Sequence, residues 1–132
     1  MQQAGASARV RLVTAAGFAH LRRMPYLRTL WLEWHPAAAH TISDEVVGYI
    51  SELANLRELM LESNWVFRST LSREAIENIA KLKLLSVLKL IYFHQLDISA
   101  LASFAYLPRL QTLSLDGCYN VDSTALPNIL LN

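Results

Sequence analysis

Residues 27–32 read LRTLWL, and the same pattern returns as LRELML at residues 56–61, LSVLKL at residues 85–90 and LQTLSL at residues 110–115. Leucine holds the first, fourth and sixth places of each stretch. The stretches begin 29, 29 and 25 residues apart, which is a spacing typical of repeat proteins. Because side chains alternate along a strand, we expect four strands that each bury their leucines on one side.

A second apolar pattern lies between these stretches. Each stretch is preceded, 14 residues earlier, by an apolar anchor, and three further apolar residues stand 5, 8 and 11 places after that anchor. The anchors are Val13, Ile42, Leu71 and Leu96, and Val121 continues the series. Steps of about three residues indicate a helix buried along one side. We therefore expect helices that start near residues 13, 42, 71, 96 and 121.

The last unit carries the most specific motif. It runs from residue 110 to residue 129 and includes Leu113, Leu115, Cys118, Val121 and Asp122. This stretch resembles the cysteine-containing leucine-rich repeat found in the substrate-binding halves of F-box proteins and in many bacterial repeat proteins. The resemblance implies an α/β fold: a short, right-handed leucine-rich-repeat solenoid with parallel strands on its concave face and helices on its convex face.

The domain organisation follows from the length and from the repeat. A chain of 132 residues is the size of one domain, and we assign residues 13–132 to the repeat domain. Residues 1–12 carry Gln2, Gly5 and Ser7 where leucines would stand. We expect an irregular or disordered N-terminal cap there, with a short strand around residues 10–13 or a loss of upstream repeats as alternatives.

The residues between the strand leucines define a candidate binding face. Alternation directs them to the open side of the sheet. This face and its rim have four acidic residues and one basic residue, together with aromatic and apolar side chains that are typical of surfaces where partners dock. The predicted protein-binding residues are Trp31, Glu33, Trp34, Glu58, Met60, Glu62, Lys89, Ile91, Tyr92, Ser114 and Asp116. Alternatively, the aromatic residues pack on one another and shield the sheet.

Charge and composition exclude several partners. The formal net charge of +1 gives no basic footprint for nucleic acid. The sequence has no run of 18 uncharged apolar residues, so we expect no membrane partner. A lone cysteine and the absence of Asn-x-Ser/Thr sites favour a reducing, intracellular and cytoplasmic location. An arginine-rich, acid-poor stretch at residues 1–32 leaves organellar targeting as the alternative.

The sequence offers little catalytic chemistry. The soft metal ligands are His20, His35, His40, His94 and Cys118, and their spacing fits no zinc motif. No glycine-rich phosphate loop is present. A Cys118–His94 nucleophilic pair would lack an orienting group, so we favour a structural role for Cys118. We expect no enzyme, no metal site and no cofactor.

The sequence therefore predicts a protein-protein interaction module, an adaptor or a substrate-recognition fragment. The alternative is a structural subunit of a larger assembly. Residues 127–131 form an apolar tail, and solenoids need polar caps at their ends. We expect an end of the domain to contact another chain, neighbouring repeats or a second copy of itself.

Overall fold

The structure is a computed structural model and describes residues 7–12, 20–21, 23–34, 44–63, 70–93, 95–96 and 98–118. Within these residues the chain forms strands that alternate with short helices. In chain order the strands are β1 (Ser7–Leu12), β2 (Thr29–Trp34), β3 (Glu58–Glu62), β4 (Thr70–Leu71), β5 (Val87–Ile91), β6 (Gln95–Leu96) and β7 (Thr112–Ser114). The helices are α1 (Asp44–Ile50), α2 (Arg73–Ile79) and α3 (Ile98–Leu101), and a 3-10 helix (Ala102–Tyr106) follows α3.

The main sheet of the described part is parallel and has the order β1-β2-β3-β5-β7. Strands that neighbour one another in space are thus successive members of the series. Parallel neighbours need a crossover connection, and helices α1 and α2 lie in the connections that follow β2 and β3. The α/β class and the parallel sheet predicted from the sequence are confirmed.

The leucines of the repeated stretches face each other in register. Leu30 pairs with Leu59, Leu59 with Leu88, and Leu88 with Leu113. Leu30, Leu59 and Leu88 are at most 1% exposed, and Leu59 and Leu88 each have an equivalent leucine in register on both sides. Leu113 is only half-buried. The leucine rows therefore form the core that was predicted from their spacing.

The first strand differs from the expected irregular cap. Ser7–Leu12 lies at the edge of the main sheet and pairs with β2, residue for residue, from Ser7–Thr29 to Leu12–Trp34. The expectation of an irregular or disordered segment is therefore wrong for residues 7–12. Val10 and Leu12 alternate with Arg9 and Arg11, and this period of two is that of a strand. Residues 1–6 lie outside the described residues.

The helices begin within two residues of the predicted starts. Leu71 and Leu96, the expected helix anchors, lie instead in β4 and β6, which pair with each other as a separate parallel ladder. Helix α2 starts at Arg73 and α3 at Ile98, while α1 starts at Asp44 against an expected 42. A buried leucine fits either a short strand or a first helical turn, so the spacing gives a helix start only to within one or two residues. The starts expected near 13 and 121 lie outside the described residues.

The apolar stripe of the helices is buried as predicted. Every member of the stripe that the structure describes in the three units with helices α1, α2 and α3 is at most 2% exposed. These residues are Val47, Ile50, Leu53, Ile76, Ile79, Leu82, Leu101, Phe104 and Leu107. Only some of them are in α-helix, since α1 and α2 end at Ile50 and Ile79 and the third unit continues as a 3-10 helix. A strict spacing of three residues matches the 3.0 residues per turn of that helix.

One backbone arrangement closes every unit. The N–H of Leu53 donates to the carbonyl of Ile50, and the N–H of Leu56 donates to the carbonyl of Leu53, at 2.9 and 3.0 Å. The same two bonds recur at the equivalent residues of the other three units: Met24 and Leu27, Leu82 and Leu85, and Leu107 and Leu110. Tight turns of this kind satisfy the carbonyls that a helix end leaves open. Each helix stripe is thus joined to the next strand by the same turn.

The helix starts are tied to one another across units. Ser72 is the N-cap of α2, and its hydroxyl oxygen accepts a hydrogen bond from the N–H of Ala75 at 3.2 Å. That hydroxyl also donates to Oδ2 of Asp44, the first residue of α1, at 2.6 Å. In the next unit, Nη2 of Arg73 donates to Oγ of Ser99. Side-chain capping and charge-assisted bonds therefore fix the helices beside one another.

We predict that equivalent leucines differ in their contribution to stability. Leu59→Ala should lower the free energy of unfolding by about 3–5 kcal/mol, because it leaves a cavity in the middle of the core. Leu113→Ala should lower it by only about 1–2 kcal/mol, because Leu113 is half-buried and loses less apolar contact. Urea denaturation of both variants measures the difference. Equal losses would contradict a core centred on β3.

Candidate functional site

The open side of the main sheet carries the residues predicted to bind a partner. Exposure alternates along β3 and β5, so that Leu59, Leu61, Leu88 and Leu90 are buried and the residues between them are not. None of the predicted residues whose side chains are described is buried. Trp34 ends β2, and its side chain lies outside the described residues. The sheet register groups the rest into rows that cross the strands.

The central row is amphipathic. Trp31 pairs with Met60, Met60 with Lys89, and Lys89 with Ser114. Trp31 is 41% exposed, which is high for a tryptophan, and the other three are half-exposed. Trp31 and Met60 therefore form an aromatic and apolar segment of the row, with Arg9 in register on β1 and polar residues on β5 and β7. Such an apolar patch within a polar surrounding can accept an apolar side chain of a partner.

Acidic residues flank this row on β2 and β3. Glu33 pairs with Glu62 in the sheet register, so two carboxylates stand on adjacent strands about 5 Å apart at their Cα atoms. On the other flank, Thr29 pairs with Glu58 and donates from Oγ1 to Oε2 at 3.5 Å. Like charges directly opposite each other destabilise a sheet.

The fifth strand changes the charge balance of the sheet. The sequence analysis counted four acidic residues and one basic residue on the open side of four strands. It did not include β1, because the sequence pattern did not identify residues 7–12 as a full strand. In the observed register Arg9 pairs with Trp31 and Arg11 with Glu33. The acidic character of the face is therefore centred on β2 and β3, rather than extending over the whole sheet.

Tyr92 has an unusual backbone at the rim. It follows β5 with φ of 64°, and Gly117, at the equivalent place after β7, has φ of 71°. The N–H of Tyr92 donates to the carbonyl of Asp116 at 3.0 Å. A Cβ atom on Gly117 would lie 2.7 Å from Cε1 of Tyr92, so the tyrosine ring lies directly over this glycine. The left-handed backbone of Tyr92 directs the ring, and glycine at position 117 leaves room for it. Tyr92 remains 40% exposed.

Cys118 lies just beyond this rim and is held by the backbone. Its thiol donates to the carbonyl of Leu90 at 3.2 Å, and the residue is half-buried. Burial raises the pKa of the thiol, and the Asp116 carboxylate adds to the rise, while the nearby backbone N–H groups of Phe93 and Tyr92 oppose it. A protonated thiol is a poor nucleophile. Cys118 thus has the features of a structural residue, and His94, the partner considered for it, lies outside the described residues.

We predict that Gly117→Ala lowers the free energy of unfolding by about 1–3 kcal/mol, because an L side chain is strained at positive φ and would collide with Tyr92. The matched control is Gly48→Ala in α1. A Cβ at Gly48 has no atom within 4 Å, and alanine in a helix should raise stability by about 0.5–1 kcal/mol. Thermal unfolding of both variants tests the pair. A stabilised Gly117→Ala protein would show that the ring is not held as described.

We also predict that Cys118 reacts slowly with iodoacetamide in the folded protein. Because the thiol pKa is raised, the thiolate fraction near neutral pH is below that of the unfolded chain, and the folded-state rate should still be rising at pH values where the unfolded chain has levelled off. Mass spectrometry of the alkylated protein, with and without urea, measures both rates. A folded-state rate equal to or above the unfolded rate would contradict the assignment.

The described part of the chain was compared with what a metal site or a membrane-spanning helix requires, and it meets neither requirement. It contains no group of three or more His, Cys, Asp or Glu residues placed to hold a metal ion, and none of its helices is long and apolar enough to cross a membrane. His35, His40 and His94 are outside these residues.

Comparison with known proteins adds no assignment, since no protein-family model and no curated protein matches the sequence. The interpretation of the site therefore rests on its own geometry.

Proposed function

We propose that the chain is a leucine-rich-repeat solenoid that binds a protein or peptide on the open face of its sheet. The recurring hydrogen bonds support the repeat assignment. Besides the turns that close each unit, the carbonyl of Arg28 accepts from the N–H groups of Arg57 and Glu58, that of Arg57 from Ser86 and Val87, and that of Ser86 from Gln111 and Thr112. Each unit thus docks on the previous one through the same bonds.

The observation that carries the binding proposal is the exposed Trp31 between carboxylates. Trp31 and Tyr92 are each about two-fifths exposed, and large exposed aromatics are enriched at the centres of protein interfaces. Neither lies in an enclosed cavity that would shield a reaction from water, so we propose a binding role and no catalytic one. A folded adaptor that offers a rigid sheet loses little conformational freedom on binding.

The charges indicate the chemistry of the partner. Glu58 and Glu62 flank Met60 on β3, next to Trp31, and cations on a partner segment would complement them. We therefore propose an occupant with lysine or arginine residues beside an apolar or aromatic anchor. An extended peptide fits best, since it can place alternate side chains along the rows of the sheet.

A second candidate is a structural subunit that docks through its end. Leu110, Leu113 and Leu115 are half-buried, although their counterparts in the two preceding units are at most 1% exposed. This end of the described sheet is therefore less well covered than its middle. A permanent neighbour would bury these leucines and leave the face of Trp31 free, whereas a peptide partner would do the opposite.

Selection from a phage-displayed library of random peptides, each about 12 residues long, tests the proposal. We expect the peptides enriched on the immobilised protein to carry basic and aromatic residues. Synthetic versions should bind the variant Trp31→Ala/Glu58→Gln/Glu62→Gln at least tenfold more weakly, because an interface loses roughly 2 kcal/mol or more with a buried aromatic anchor. Fluorescence anisotropy with labelled peptide gives the dissociation constants.

The matched control is Glu74→Gln/Glu77→Gln on α2, where both residues are exposed. It removes the same two charges from the opposite side of the molecule and should leave peptide affinity unchanged. Enrichment of acidic peptides, or equal weakening by both variants, would refute the proposed face. Far-ultraviolet circular dichroism of each variant establishes that the fold is retained.

A further inference from the structure

The N-terminal edge of the main sheet concentrates the positive charge of the molecule. In a parallel sheet every connection from a helix to the next strand returns to this edge, and these connections span residues 23–28, 51–57, 80–86 and 107–111. Eight lysine and arginine side chains are described, and six of them lie here, against one acid, Glu52. We call this surface the basic edge and define it by Arg23, Arg28, Arg57, Lys81, Lys83 and Arg109.

The charges of the basic edge are not compensated within the described part of the chain. Five of the six side chains are exposed and Arg28 is half-exposed, and no side-chain hydrogen bond or ion pair joins any of the six to another described residue. By contrast, Arg73 on α2 donates to Ser99. The edge thus presents a field of cations to solvent, and such a field favours an anionic partner.

Helix dipoles explain only part of this arrangement. Lys81 and Lys83 follow the end of α2, where a cation is favoured by the helix carbonyls. Arg28 and Arg57 instead precede β2 and β3, and the N–H of Arg57 donates to the carbonyl of Arg28 at 2.7 Å. Two arginines are therefore side by side on adjacent strands. Their mutual repulsion is relieved by an anion that contacts both.

Two exposed tyrosines lie on the same edge. Tyr106 is 77% exposed at the end of the 3-10 helix, and Tyr26 is 37% exposed before β2. Neither side chain forms a hydrogen bond with a described residue. The edge between the connections into β2 and β7 spans about 15 Å. Proteins that hold single-stranded nucleic acid combine cations with exposed aromatic rings. The cations bind the phosphates, and the bases stack on the rings.

We propose that the basic edge binds single-stranded nucleic acid, with Arg28 and Arg57 contacting the phosphate backbone and a base stacked on Tyr106. The exposed tyrosines favour this partner over an acidic peptide, which has no bases to stack. A single strand fits better than a duplex, because the bases of a single strand are free to stack on the exposed tyrosine rings. The net charge of +1 argued against nucleic acid for the whole chain, but it averages this edge with the acidic residues of the sheet face.

Fluorescence anisotropy of the full chain with a labelled RNA of mixed sequence, about 12 nucleotides long, and with the matching DNA, tests the proposal. Binding should weaken with salt. If four phosphates are contacted, affinity falls roughly 50-fold between about 50 and 200 mM salt. No binding of either oligonucleotide at the lower salt concentration would overturn the proposal.

Three variants distinguish binding at the basic edge from a general effect of the net charge. Arg57→Gln/Lys83→Gln removes two positive charges from the edge and should weaken binding and lower the salt slope by about 1.4. Arg73→Glu changes the net charge by the same amount on the helix side and should leave the slope unchanged. Tyr106→Ala should weaken binding at least about fivefold through lost stacking. Equal effects of the first two variants, or none from Tyr106→Ala, would overturn the proposal.

Two other anionic probes serve as competitors in the same experiment. Poly-glutamate offers carboxylates and phosphatidylserine vesicles offer an anionic lipid surface, and neither has bases that could stack on a tyrosine. The proposal predicts that oligonucleotide binds more tightly than poly-glutamate at equal charge and is not displaced by vesicles. Tighter binding of either competitor would assign the edge to an acidic protein or to a membrane surface instead. Peptide binding on the sheet face is independent of these outcomes.

Discussion

The structure depends on leucines that stack in register across parallel strands. Leu59 and Leu88 each have an equivalent leucine in register on both sides, so no unit can bury its own leucines without its neighbours. The same register fixes everything else, because it sets the helices beside one another and closes each unit with the same turn. Where the row reaches Leu113, burial is incomplete. Stability is therefore cooperative along the stack, and the row of leucines contributes least at Leu113.

The sequence predicted the features that follow from the periodic spacing of apolar residues. It did not predict features that depend on local backbone conformation. Strand leucines, helix stripe and outward residues follow from spacing, and the observed register confirms them. Leu71 and Leu96, the expected helix anchors, lie in short paired strands just before α2 and α3, because a buried leucine can end a short strand or begin a helix. The left-handed Tyr92 has no propensity signal of its own. Only its alignment with Gly117 in the next unit could have indicated it.

The register also sorts charge. Outward residues of β2 and β3 place Glu33, Glu58 and Glu62 around Trp31, while the connections before the strands collect lysine and arginine. A whole-chain charge near zero conceals this separation, since it sums surfaces that face different directions. A single small domain can thus offer two chemically distinct surfaces. We propose that the sheet face accepts a basic peptide and that the basic edge accepts a polyanion.

A methyl NOESY spectrum of the protein with labelled leucine methyl groups tests the stacked register most directly. We expect cross-peaks between Leu30 and Leu59 and between Leu59 and Leu88, because these pairs are in register on adjacent strands. We expect none between Leu30 and Leu88, which a full strand separates. Absence of the neighbouring cross-peaks in a folded sample, or contacts between Leu30 and Leu88 in their place, would contradict the stacking of the leucines.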